Sequence, residues 1–181
     1  MVEYLDFRGN EYMIDDDHGI LLAGLTDDAL EGWDCGLRFA KDLDVGLDLM
    51  ALVDANVSCI KGAVIDILPG ESFTICTGSI ARIPTGIRVK IPNDAWGSII
   101  ARSSTGFKRG LIVPGNVIDP GYIGPLYTLL YNPTSISVKI QHGERLSQLV
   151  LFPRYDIKKI IKVDRFKETE RGDSGFGSSG S

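Results

Sequence analysis

The residues around Asp119 have types and spacing that a hydrolytic site for a sugar-containing substrate can use. An apolar pair leads into Asp119, a Pro-Gly pair then reverses the chain, and Tyr122 follows. A carboxylate on such a turn can orient a water molecule, and a neighbouring tyrosine ring can pack on a sugar. The same residues are typical of an ordinary hairpin with an aspartate turn and a packed tyrosine, so this stretch alone leaves both interpretations open.

Two further segments carry side chains suited to phosphate oxygens. Arg102 is followed by Ser103 and Ser104, which together offer a guanidinium fork and hydroxyl donors directly after an apolar run. Gln148 lies among apolar residues, a pattern that predicts either a polar site or the edge of a barrel. Each segment by itself is weak evidence for function, because such short patterns occur in many loops.

The segment 170–181 is rich in glycine and serine and is typical of a flexible tail or an expression scar. It also holds Phe176 between two glycines, which is a stacking group on a hinge, with Arg171 and Ser178 as potential phosphate ligands. The sequence therefore predicts either a tail that never docks or an arm that closes over a ligand.

Composition excludes several classes of protein. Lys and Arg number 19 against 24 Asp and Glu, a net charge of −5, so a surface that coats nucleic acid is not expected. Three scattered cysteines, without CxxC spacing, argue against a disulfide framework and a structural zinc site. Only two histidines are present, which disfavours a catalytic triad or a histidine-rich metal site. We expect a cytoplasmic protein, because the start is acidic and polar and no apolar run reaches the ~18–20 residues of a membrane span.

Short apolar or alternating runs must position these groups, and they indicate an all-β barrel or jelly roll. Turn signals rich in Pro, Gly, Asn and Asp separate the runs, among them Pro84-Thr85-Gly86 and Pro92-Asn93-Asp94. The predicted strands cover residues 57–60, 63–68, 72–76, 86–91, 96–101, 126–131, 136–140, 146–152 and 157–163. No window of this region shows a helical period.

The sequence divides into three predicted parts. Residues 1–36 form an extension with an acid run at 15–17 and one short helix that Thr26 would cap. Residues 37–169 form the β-barrel, and residues 170–181 form the C-terminal arm.

Taken together, the motifs resemble those of the trimeric dUTP pyrophosphatases, or dUTPases. Five motifs of that family occur here in the same order, and residues 83–87 also look like the strand that precedes its second motif. The five read Val-Gly-Leu-Asp-Leu at 45–49, Arg-Ser-Ser-Thr-Gly at 102–106, Gly-Asn-Val-Ile-Asp-Pro-Gly-Tyr-Ile-Gly at 115–124, Gly-Glu-Arg-Leu-Ser-Gln-Leu at 143–149 and Arg-Gly-Asp-Ser-Gly-Phe-Gly-Ser-Ser-Gly at 171–180. Ser174 stands where the family usually has glycine, and residues 54–82 look expanded.

The resemblance implies a jelly-roll homotrimer that hydrolyses dUTP to dUMP and pyrophosphate with Mg²⁺, which substrate phosphates and water would hold. Asp119 would orient and deprotonate the attacking water, while Asp48 would hold a metal-bound water or support the site. Tyr122 would pack on the deoxyribose, and Asn116 would read uracil through its backbone. The phosphates and the base would meet the remaining site residues, which are Arg102, Ser103, Ser104, Gln148, Arg171, Phe176, Gly177 and Ser178.

Three alternatives stay open on the sequence. A dCTP deaminase shares the fold and the turn, but it needs a glutamate where this chain has Leu129. A dUTPase-like trimer could instead serve as a nucleotide-binding regulatory module, with residues 1–36 as its partner surface. A modified pyrimidine nucleotide could also replace dUTP as the substrate.

Overall fold

In the part of the chain that a computed structural model describes, the regular elements are antiparallel strands and one short helical turn. The structure describes residues 2–5, 11–14, 21–24, 45–53, 57–68, 71–165 and 167–168. Its strands are β1 (Val2–Leu5), β2 (Glu11–Ile14), β3 (Leu21–Gly24), β4 (Gly46–Met50), β5 (Ser58–Lys61), β6 (Val64–Leu68), β7 (Ser72–Ile75), β8 (Ile80–Lys90), β9 (Ala95–Ala101), β10 (Asn116–Ile118), β11 (Pro125–Tyr131), β12 (Val138–Gln141) and β13 (Arg145–Pro153). A π-helical turn, Ser104–Lys108, follows β9.

Three sheets build the body of the molecule. One sheet has the order β10-β9-β13-β4, a second has the order β11-β8-β3 with β5 also pairing to β8, and a third has the order β12-β7-β6. The strands β1 and β2 pair with each other in a separate hairpin. The expected all-β jelly-roll architecture is confirmed. Alternate residues are buried along its strands, as in β11, so one face of each sheet packs on the interior.

The apolar interior consists of two clusters, and the long strand β8 and its neighbour β11 contribute side chains to both. The first cluster lies towards β7 and β12 and includes Phe73, Ile75 and Ile140. The second lies towards the β10-β9-β13-β4 sheet and includes Leu47, Ile99 and Leu149. This second cluster fixes which face of the sheet is internal, and therefore which side chains the opposite face presents.

The turn predicted at Pro84-Thr85-Gly86 is wrong, because β8 runs through these residues. The strand that the family resemblance implied for residues 83–87 is the correct one. Gly86 adopts a φ of 75°, and the register between β11 and β8 shifts nearby, so the turn-forming residues bend the strand without ending it. The buried Thr85 hydroxyl donates to Leu126 O at 2.9 Å and holds the bend against β11.

The strand predicted over residues 157–163 is also wrong for this chain, because the structure has irregular backbone there. Its apolar side chains lie exposed, with Ile157 at 80% and Ile160 at 92% of full exposure. At the other end, β3 pairs with β8, so residues 21–24 of the extension join a sheet of the barrel. The helix predicted after Thr26 and the arm at 170–181 lie outside the described residues.

Candidate functional site

A pocket of about 260 Å³ opens at the connection between β10 and β11. The chain reaches it through β10, in which Ile118 is buried and the next residue, Asp119, is exposed. The Tyr122 N–H donates to Asp119 O at 3.2 Å, which closes the turn that the Pro-Gly pair predicts. The lining residues are Asn116, Val117, Ile118, Asp119, Tyr122, Pro125, Leu126 and Tyr127. One carboxylate and two tyrosines therefore border a single, mostly apolar cavity.

Two hydrogen bonds between residues of β10, β11 and the segment that connects them fix side chains of the pocket. The Tyr122 hydroxyl donates to Pro125 O at 2.9 Å, so the ring folds back across its own turn. The Asn116 amide donates to Tyr127 O at 3.4 Å and ties β10 to β11. This contact uses one donor of the Asn116 side-chain amide, and the reading of uracil through the Asn116 backbone stays a prediction.

A buried carboxylate between two arginines forms the second feature of the site. Asp48 on β4 is only 2% exposed, and it lies 2.7 Å from Arg102 Nε through Oδ1 and 3.2 Å from Arg145 Nη1 through Oδ2. Both carboxylate oxygens thus face guanidinium groups. Two cations against one anion leave a local positive excess on a chain that is acidic overall, which favours the binding of an anion.

Gln148 on β13 lies beside this cluster, since it is the register partner of Asp48 on one side and of Ile100 on the other. Its side chain covers Gly46, where an added Cβ would lie 2.3 Å from Gln148 Oε1. The glycine of the first motif therefore provides the space in which the glutamine side chain lies.

The π-helical turn that carries Ser104 is held by side-chain contacts to the start of β13, to Glu144 just before it and to β12. The buried Thr105 hydroxyl donates to Leu146 O at 2.7 Å. Arg109, just after the turn, forms an ion pair with Glu144 and also donates to Lys139 O. Ser103 is exposed and Ser104 half-buried at this turn, so both hydroxyls remain accessible beside Arg102.

The pocket and the arginine cluster lie on opposite faces of one sheet. Asn116 is the register partner of Ile99, which belongs to the internal core, whereas Gln148 and Asp48 alternate with core residues and point the other way. A single chain therefore does not bring all its predicted site residues to one place. It brings together Asp119, Tyr122 and Asn116, and separately Asp48, Arg102 and Gln148.

Sequence reasoning overlooked two side chains that the structure places at the site. Arg145, inside the fourth motif, contacts Asp48, and Tyr127 lines the pocket. The available signal for Arg145 was its place inside the fourth motif, directly before the predicted strand 146–152. The alternation of buried and exposed residues that starts at Leu126 does not predict that Tyr127 lines the pocket. Arg171, Phe176, Gly177 and Ser178 lie outside the described residues.

The described residues offer no ready-made cage for a metal ion. Among them, no three His, Cys, Asp or Glu side chains form a group that could hold one. Likewise, no helix in the described part of the chain is long and apolar enough to cross a membrane.

The fold is an all-β jelly roll with a pocket at the β10–β11 connection and a separate cluster of two arginines around Asp48. The chain belongs to the dUTPase family, whose model, described as "dUTPase", matches residues 55–180. The deoxyuridine 5'-triphosphate nucleotidohydrolase of Escherichia phage T5 is 37% identical over 150 residues, covering 82% of this chain and 93% of that protein. The enzyme of the same name from Psychromonas ingrahamii is 40% identical over 139 residues, covering 75% and 80%.

Solved structures share the fold. A mutant dUTPase of Staphylococcus bacteriophage 80alpha, solved with dUpNHpp, superposes with a TM-score of 0.70 at 22% identity, covering 90% of this chain and 99% of that one. A mutant dUTPase from phage phi11 of S. aureus, in which a structural Mg(II) ion is coordinated, gives 0.63 at 19% identity, covering 83% and 100%.

Proposed function

We propose that the protein hydrolyses dUTP to dUMP and pyrophosphate by attack of water on the α-phosphorus. The observation that carries this proposal is the pocket at the β10–β11 connection, in which an exposed carboxylate and a tyrosine ring border one cavity. Asp119 accepts a proton from the attacking water and directs its lone pair at phosphorus. Family membership supplies the nucleotide class.

The substrate's sugar and base would occupy the pocket. Tyr122 packs against the deoxyribose, where a 2′-hydroxyl would find no room. Backbone groups at Asn116 present donors and acceptors that match O4 and N3–H of uracil. Cytosine reverses this pattern and leaves buried polar groups unpaired, at a cost of ~1–3 kcal/mol each.

The phosphates would lie against the second feature of the site. Arg102 uses Nε for Asp48, which leaves the outer nitrogens of its guanidinium group for phosphate oxygens. Ser103 and Ser104 add hydroxyl donors at the π-helical turn, and Gln148 adds an amide on β13. Asp48 then acts by holding Arg102 in place.

The triphosphate would bring its own Mg²⁺, which belongs to the substrate in this proposal. Magnesium retains several waters and binds phosphate oxygens directly, so it requires no dedicated protein cage. The bound ion lowers the charge of the triphosphate. Asp48 has both oxygens directed at arginines and therefore suits a supporting role better than direct coordination.

A complete site would combine more than one copy of the chain, and the family resemblance makes that assembly a homotrimer. Support comes from the sheet that separates the pocket from the Arg102 and Gln148 face. In the assembly, the pocket of one copy meets the arginine face of another. The arm at 170–181 would close over the site, with Phe176 on uracil and Arg171, Gly177 and Ser178 at the phosphates.

A pyrophosphate-release screen of all deoxy- and ribonucleoside triphosphates with Mg²⁺ tests the proposal. Release with dUTP alone supports it. Ammonia release from dCTP would favour the deaminase alternative, and tight binding without turnover would favour the regulatory module. Turnover of a modified pyrimidine nucleotide in preference to dUTP would reassign the substrate.

The role of the arm has its own test. A variant that ends at residue 169 should fold with an unchanged melting temperature, because a Gly/Ser-rich segment contributes little to a core. Its kcat on dUTP should fall sharply, because closure of the arm excludes water from the reaction. A truncated enzyme as fast as the full chain would remove the arm from the mechanism.

A further inference from the structure

Gly124 lies directly against the tip of the Tyr122 ring. A Cβ added at position 124 would lie 2.4 Å from the Tyr122 hydroxyl oxygen, 2.6 Å from Cζ and 2.9 Å from Cε2. These distances are far inside van der Waals contact, for which carbon atoms prefer about 3.5–4.0 Å. Only a residue without a side chain leaves room for the ring where it lies.

The backbone itself does not demand glycine at this position. The glycines with positive φ include Gly121, at 80°, three residues earlier in the same turn, but they do not include Gly124. Gly124 therefore lies outside the positive-φ region that favours glycine. The absence of a side chain at 124 is therefore explained by the ring above it.

The hydroxyl end of the same ring is anchored on the other side. It donates to Pro125 O at 2.9 Å, so Gly124 and Pro125 together form a seat for the ring. Tyr122 remains 42% exposed and lines the pocket, which leaves part of the ring available to a ligand. The seat determines how deeply the ring enters the pocket.

We propose that Gly124 is a specificity-positioning residue, which sets the height of the Tyr122 ring and thereby the rejection of a ribose 2′-hydroxyl. The inference rests on the proposed function, in which Tyr122 packs on the deoxyribose. It goes further by assigning the discrimination to the seat beneath the ring as well as to the ring.

Gly124→Ala should separate specificity from stability. The atoms that a Cβ would meet form the far end of a side chain, so the ring swings away while the backbone stays in place. The fold should then persist, and the deoxyribose should lose its packing surface. The ratio of kcat/KM for dUTP over UTP should fall about 10-fold, as part of the ~10²-fold discrimination that a pocket shows against an added hydroxyl.

The experiment measures kcat/KM for dUTP and UTP, and binding of dUMP and UMP, on the wild type, Gly124→Ala, Tyr122→Ala and the double variant. If Gly124 acts through the ring, its substitution changes the deoxy-to-ribo ratio in the wild type and leaves it unchanged in the Tyr122→Ala background. Tyr122→Phe, which removes the anchoring hydroxyl, should shift the ratio in the same direction as Gly124→Ala. If Gly124→Ala does not fold, the deoxy-to-ribo ratio of Tyr122→Phe tests the inference instead.

The inference is overturned if Gly124→Ala has the same ratio of kcat/KM for dUTP over UTP as the wild type. It is also overturned if Gly124→Ala changes that ratio equally in the wild type and in the Tyr122→Ala variant. Failure of the proposed function looks different, because the wild type would then not hydrolyse dUTP. The monophosphate binding ratios report the ring position in that case too, and a wild type without preference for dUMP over UMP would also overturn the inference.

Discussion

Asp119 lies just after the end of β10, where the chain passes from a buried residue to an exposed one. Ile118 is buried in the second core cluster, and the chain then turns out into solvent through the Pro-Gly pair. The core thus fixes the strand up to the last residue before the carboxylate. Rigidity of this kind is what a general base needs in order to hold a water molecule in line with its target.

Asp119→Asn should retain nucleotide binding and lose turnover. The amide has nearly the same shape as the carboxylate but cannot accept the proton, a loss typically worth ~10²–10⁴ in rate. The measurement is kcat for dUTP beside the Kd of a non-hydrolysable dUTP analogue. Asp94→Asn, at an exposed turn, is the matched control and should behave as wild type. A kcat within threefold of wild type for Asp119→Asn would contradict the assigned role.

Asp48→Asn should weaken both the fold and phosphate binding. The substitution removes the carboxylate charge that pairs with Arg102 and Arg145, whose side chains are 27% and 32% exposed. Because water reaches these arginines, we expect a loss of ~1–3 kcal/mol in the free energy of unfolding. Urea unfolding measures the loss, and KM for dUTP should rise as Arg102 loses its orientation. Unchanged KM and unchanged stability together would show that the pairing has no role.

Individual site residues were predictable from the sequence only where a motif contained them in order. Asp119 and Tyr122 lie close in the chain, so local turn chemistry sufficed to place them together. The contact between Asp48 and Arg145 spans 97 residues and depends on the pairing of β4 with β13. Nothing in the local sequence encodes that register, and the double contact of Asp48 therefore emerged only from the sheet.

At the scale of elements, the π-helical turn is a connector whose position depends on β13. The Thr105 hydroxyl and the Arg102 N–H both donate to Leu146 O, at 2.7 Å and 3.3 Å. The first residues of β13 thus hold the turn on which Arg102, Ser103 and Ser104 are carried. Displacement of this turn would move together three groups that we propose bind phosphate.

Thr105→Val should test this dependence, because it keeps the shape of the side chain and removes the hydroxyl. Leu146 O loses its shorter hydrogen bond, so the free energy of unfolding should fall by about 1–2 kcal/mol. KM for dUTP should rise while kcat changes less, since the altered groups bind phosphate. Thr77→Val, at an exposed turn, serves as the control and should alter neither quantity. An unaltered KM in Thr105→Val would mean that the turn keeps its place without this bond.

Strand prediction failed where tertiary pairing outweighed local signals. Residues 84–86 have the composition of a turn, yet pairing with β11 extends β8 through them, and glycine at 86 absorbs the bend. Residues 157–163 are rich in β-branched apolar residues, as a strand often is, yet the structure leaves them unpaired as a strand. A strand needs a neighbour to satisfy its backbone, and sequence alternation reports the face of a strand without reporting where that neighbour lies.

For the whole molecule, the arginine-bearing face of the β10-β9-β13-β4 sheet has the character of a contact surface. Ile100 is 37% exposed and Phe152 38%, and Phe152 stacks on Trp96 with ring centroids 4.6 Å apart. Exposed apolar side chains on one sheet face are typical of surfaces that meet another protein. The exposed apolar run at 157–163 adds a second region of this kind, and both agree with the proposed assembly of copies.

Mixing two inactive variants should restore activity if copies of the chain share the site. Asp119→Asn damages the pocket, and Arg102→Gln damages the opposite face while keeping a polar partner for Asp48. Each variant alone should be nearly inactive. In a cyclic assembly formed from equal amounts of both, the Asp119-bearing pocket of one copy meets the Arg102-bearing face of another at about a quarter of the sites.

Co-refolding followed by a dUTP turnover assay measures this recovery, and equal mixing of folded, unexchanged homomers is the control. If each chain carried its whole site, no intact site would form in any mixture, and activity at the level of the single variants would rule out sharing between copies.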